Sequence, residues 1–124
     1  MAVATAVWAG VPDTGARDGY TVTWGPMANG DSGRAVSELE NITGMADRSV
    51  QIEGNFGVGG TVVIEGSNDG VNFRTLNDPS SLPLTVTATE IKGVLEAVKQ
   101  IRPRVTGGDG TTSLTVTLFV RKLR

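Results

Sequence analysis

Asn68, Asp69, Asn72, Asn77 and Asp78 crowd oxygen-bearing side chains into one short stretch. A calcium ion takes roughly six to eight oxygens, and the spacing here does not follow an EF-hand loop. Side chains of this type also bond to neighbouring backbone and make turns, which is the reading adopted for the stretch. Glu65 and Asp69 could be drawn as a carboxylate pair for acid and base work. Acids flanking a turn need no catalytic explanation, however, and the chain contains no His and no Cys. That removes imidazole chemistry, thiol nucleophiles, disulfides and the usual zinc sites. The glycine runs at Gly57 to Gly60 and Gly107 to Gly110 lack the Lys-Ser/Thr of a phosphate-binding loop. No catalytic residue, metal ligand or cofactor site is expected.

The remaining candidates are contact residues. Arg121 to Arg124 is a basic end, and with Arg102 and Arg104 on the outer side of the preceding strand it makes a small positive cluster. Such a cluster either keeps a sheet edge from pairing with other sheets or meets an acidic protein partner. Trp8 is a large ring among small residues. It either anchors the N-terminal segment on a neighbouring surface or tucks against its own domain. Trp8, Arg102, Arg104 and Arg121 are therefore the candidate partner contacts. The formal net charge of −2, from 11 basic and 13 acidic residues, gives no footprint for nucleic acid. No secretion signal or membrane span is read from the chain, so a protein made and used inside a cell, or inside an infected one, is expected.

These residues have to be positioned by strands. A chain of 124 residues, 39% hydrophobic, suits one core, and 17 glycines with abundant Thr and Val favour β structure over helix. Residues 50–76 hold three short apolar runs parted by Gly-rich and Asn-Asp-Gly turns, the pattern of an antiparallel meander. Tyr20 to Trp24 alternates as a strand that Gly25-Pro26 is expected to stop, leaving Met27 to Gly33 as a polar loop. Arg34 to Leu39 and Leu84 to Ala88 are further strands. Glu90 to Gln100 has apolar residues at helical spacing, interrupted by Gly93, and is read as strand or a turn plus strand. Ile101, Pro103 and Val105 alternate with Arg102 and Arg104, and Pro103, which has no N–H, places that strand nearer an edge or starts it locally there. Ser113 to Arg121 is a long inner strand. The expected core is Val50, Ile52, Val62, Ile64, Val105, Leu114, Val116, Leu118 and Val120. The fold expected is all-β: a single antiparallel β-sandwich, jelly-roll-like, of about eight strands. Residues 20–124 form it, and residues 1–19 form an N-terminal arm that is disordered or lies extended on another surface.

Two resemblances follow from these motifs. Ile64 to Leu76, reading IEGSNDGVNFRTL, resembles a hairpin of discoidin-type carbohydrate- or lipid-binding domains, which are jelly rolls. The small-residue arm, VQIEGNFGVGGTVVIEGSNDGVNF and RPRVTGGDGTTSLTVTLFVRK together resemble the head-decoration or cement proteins of tailed bacteriophages. The second resemblance implies a homo-oligomer, dimer or trimer, on the capsid exterior of a virion assembled in the host cytoplasm. There it would clamp subunits of the major capsid protein, with no reaction and no cofactor. A carbohydrate- or protein-binding module of a phage tail or tail fibre is the alternative.

Overall fold

The computed structural model describes residues 6–7, 19–37 and 45–122, and every regular element among them is a strand. One sheet runs β2 (Gly19–Met27), β11 (Ser113–Lys122), β5 (Met45–Asn55), β9 (Glu90–Gly93). The other is built on β10 (Gln100–Thr106) paired with β6 (Thr61–Ser67). β3 (Ser32–Gly33) and β4 (Val36–Ser37) share the far side of β10, and β7 (Arg74–Thr75) and β8 (Thr85–Val86) share the far side of β6. β1 (Ala6–Val7) adds to β3 in parallel. With β1 set aside, and with β3/β4 and β7/β8 each taken as one interrupted row, eight rows remain in the orders 1-8-3-6 and 2-7-4-5. That is the strand order of a jelly roll, as expected.

Alternation fills the space between the sheets. Along β10 the inward residues Ile101, Pro103 and Val105 are buried while Arg102, Arg104 and Thr106 are half-exposed. All nine residues expected in the core are at most 1% exposed, and Val22, Trp24, Met27, Leu84, Val86 and Ile101 join them. Each buried Val, Leu or Ile contributes about 1.5 to 3 kcal/mol relative to exposure.

Several expectations need correction. β2 does not stop at Gly25-Pro26 but runs on to Met27. Between the pairs Leu114↔Met27 and Val116↔Trp24 it carries one extra residue, a β-bulge that turns Met27 back into the core instead of leaving it in a polar loop. Glycine permits this bulge: at φ +146° a Cβ on Gly25 would lie 2.8 Å from Thr115 Oγ1 and 3.0 Å from the Leu114 carbonyl oxygen. The meander read across residues 50–76 is not formed: β5 and β6 lie in opposite sheets, and the returning strand after the Asn-Asp-Gly turn, paired with β6, is only Arg74–Thr75. Within Arg34 to Leu39 the strand is Val36–Ser37, with Leu39 outside the described residues.

β10 is an interior strand, although it carries Pro103. Val105 donates its N–H to the Asp31 carbonyl at 2.8 Å, on the side of β3. Backbone groups two residues apart point the same way, so the nitrogen of Pro103 also faces that side, where the outer row breaks into β3 and β4. The segment from Glu90 to Gln100 is β9 followed by irregular chain, and its helical spacing is not used. Val94 is buried with its N–H on the Arg48 carbonyl, while Ile91 and Leu95 remain exposed. Of the expected arm, Ala6–Val7 lies beside Ser32–Gly33 and Gly19 opens β2.

Candidate functional site

The residues first singled out for metal or acid chemistry, Glu65 excepted, spend their polar side chains on loops. Asp69 accepts N–H groups from Val71 at 2.8 Å and Asn72 at 2.7 Å, the Asn72 amide at 2.8 Å and the Ser67 hydroxyl at 2.8 Å. These bonds, led by the Asn72 N–H, hold its carboxyl far below the usual carboxylate range. Asn68 accepts the Lys99 N–H at 2.9 Å and so ties this turn to the start of β10. Asn77 donates its N–H and its side-chain amide to Glu96 at 2.7 and 2.6 Å. The Asn77 N–H is the main reason the Glu96 carboxyl lies below its ordinary value; burial opposes it, and the Asn77 amide and the Arg48 charge add to it.

The other loops follow the same rule. Asp78 Oδ1 accepts from Ser80 and Leu82, closing the loop that leads to β8. In the second glycine run, Asp109 takes bonds from the Thr111 hydroxyl, the Thr111 N–H and the Val58 N–H, and its carboxyl is lowered in consequence. Through Val58 it ties the loop after β10 to the loop after β5. Every acidic residue among the described residues is bonded or ion-paired within the chain. None of their groups of three or more His, Cys, Asp or Glu is placed to hold a metal ion.

A different cluster occupies the outer face of the sheet built on β10 and β6. The register sets Arg102 opposite Glu65, with Arg104 opposite Val63 one turn of the alternation away. Glu65 lies between the two guanidiniums: Arg102 Nε donates to Oε1 at 2.8 Å and Arg104 Nε to Oε2 at 3.3 Å. The carboxylate side chain is 6% exposed, whereas those of Arg102 and Arg104 are 30% and 40% exposed. The Phe73 ring lies against Arg102, whose Cζ is 3.8 Å from its centroid. A ring face attracts a guanidinium and fixes its plane. The Nη groups of both arginines make no hydrogen bond with any described residue.

Of the expected contact residues, Arg102 and Arg104 are thus brought together, but Arg121 is not. β10 and β11 are consecutive in the chain yet belong to opposite sheets. Arg121 points outward from the other sheet, where it pairs with Asp47. The expected three-arginine cluster is therefore split between the two outer faces. Trp8 lies outside the described residues.

Reading the chain alone missed Glu65 and Phe73 as members of this cluster. The outward phase of Glu65 was legible from Val62 and Ile64 facing inward, but its arginine neighbours come from a strand some 37 residues on. The other outer face carries little charge at its centre, where Thr117 pairs with Thr23 and Gln51, and Phe119 with Thr21 and Ser49. The chain matches no protein-family model, no curated protein and no solved structure.

Proposed function

We propose that this protein is a decoration or cement protein of a tailed-bacteriophage head. It binds the outside of the shell and bridges neighbouring subunits of the major capsid protein, itself a dimer or trimer on the virion. The observation that carries the reading is the use of the acidic side chains: those described are committed to hydrogen bonds and ion pairs within the chain, so the sandwich offers contact faces in place of a reaction centre. The resemblance of the arm and the two hairpin stretches to head-decoration proteins supports the same reading. So does the placement of Ala6–Val7 against a sheet edge, since adding a strand to an edge is a common way for extended segments to bind.

A protein that binds only the assembled lattice stabilises it by mass action. The test is the rupture temperature of purified shells with and without the protein. Decorated shells are expected to rupture at a higher temperature, and Trp8→Ala is expected to reduce the gain. Identical rupture temperatures for bare and decorated shells would remove the proposal. Specific retention on a glycan array would instead favour a binding module of a tail or tail fibre.

A further inference from the structure

We infer that Arg102, Arg104 and Phe73 form a receptor for a carboxylate side chain presented by an acidic protein surface. The inference rests on the contact reading above, and it replaces the three-arginine cluster with a site of defined chemistry.

Charge is the first argument. Two guanidiniums share one carboxylate, Glu65, so the trio carries a surplus positive charge on a chain whose formal net charge is −2. In register, the other outward positions beside it are Ser32, Val63, Ser67, Thr75, Gln100 and Thr106, all uncharged. Among the described residues, therefore, no adjacent acid of the sheet face cancels the surplus. Geometry is the second argument. Each arginine donates to Glu65 through Nε alone, which leaves its terminal Nη groups without a hydrogen-bond partner among the described residues, on side chains that are 30% and 40% exposed. A guanidinium fork of this kind matches a planar carboxylate.

Order is the third. Glu65 is buried, and the Phe73 ring braces Arg102, so the forks are aimed before any ligand arrives and lose little freedom on binding. A polyanion is the poorer fit: the positive site is small, Arg121 stands on the opposite face, and the acidic chain as a whole repels a highly charged polymer.

The test uses the full chain labelled with 15N, following the Nε–H signals of Arg102 and Arg104. The probes are a short synthetic peptide carrying two glutamates, its glutamine counterpart, inorganic phosphate and heparin. The glutamate peptide is expected to shift both signals saturably while the glutamine peptide does not. Arg104→Ala is expected to weaken that binding about tenfold, and Arg121→Ala to leave it unchanged. Equal responses to the two peptides, or none from the glutamate peptide, would overturn the inference. So would tighter binding of phosphate or heparin, which would assign the site to another class of anion. The wild-type comparison of the two peptides decides the matter even if Arg104→Ala does not fold. Shells protected equally by the wild type and by a folded Arg104→Ala protein would remove this site from the contact while leaving the cement reading standing.

Discussion

Gly33 and Pro103 are fitted to one another at the broken edge of their sheet: a Cβ at position 33 would stand 2.5 Å from Pro103 Cδ and 2.8 Å from both Pro103 Cγ and Trp24 Cδ1. The proline ring fills the place where the outer row divides into β3 and β4, and the glycine lets the chain pass over it. Trp24 sits beneath, with its indole N–H donated to the Arg34 carbonyl at 2.8 Å. Gly33→Ala is accordingly expected to destabilise the fold by about 1 to 3 kcal/mol through overpacking against a ring that cannot bend away. Urea unfolding should show a lower midpoint with an unchanged slope. An unchanged midpoint would mean that the edge row can slide off the ring.

The central strand β11 gives a second expectation. Val116 is fully buried and lies between Ile52 on β5 and Trp24 on β2. Val116→Ala should cost about 1 to 3 kcal/mol, combining lost burial with a cavity that neighbours on two strands cannot close. Thermal unfolding of the two proteins checks this, and a variant as stable as the parent would contradict the close packing described.

Glu65 holds two arginines apart as well as together. Glu65→Ala leaves two guanidiniums facing each other across an empty carboxylate site. Because both are partly exposed, water screens them, and the expected loss is about 1 to 3 kcal/mol instead of the larger cost of a fully buried pair. In a double-mutant cycle, Glu65→Ala with Arg104→Ala should cost less than the sum of the two single changes. Strict additivity would show that Arg104 gains nothing from the carboxylate.

Acid should loosen the loops before it affects the core. Asp69, Glu96 and Asp109 all have folded values below their unfolded ones, the unfolded values being about 3.9 for Asp and 4.3 for Glu. For lowered carboxylates the stabilisation is complete above the unfolded value and is lost as pH falls through the folded one. Unfolding midpoints should therefore be level above about pH 5 and drop steadily below about pH 4. Asp69→Asn should lower stability at pH 6 and flatten the acid slope. If that variant follows the wild-type slope between about pH 4 and 2, the Asp69 turn does not contribute to it.

The sequence by itself determined the class of fold, most of the core and the nature of the turns. Each depends on signals of short range. Period-two alternation puts Val50, Ile52, Val62, Ile64, Leu114, Val116, Leu118 and Val120 on the inward sides of their strands, and Asn-Asp-Gly closes a hairpin through bonds spanning two or three residues. What spans the chain was left to the tertiary structure. Alternation shows that Arg102, Arg104 and Arg121 face outward, but not out of which sheet, because sheet membership is set by pairing partners tens of residues away. The same holds for Met27, which a one-residue bulge against β11 returns to the core, and for Pro103, which sits inside a sheet because its neighbour row divides beside it. Glu65 shows the difference most directly. Its position beside a turn suggested a surface acid, and only the docking of β6 on β10 made it a buried counter-ion, since a carboxylate can leave water where two guanidiniums replace its hydration.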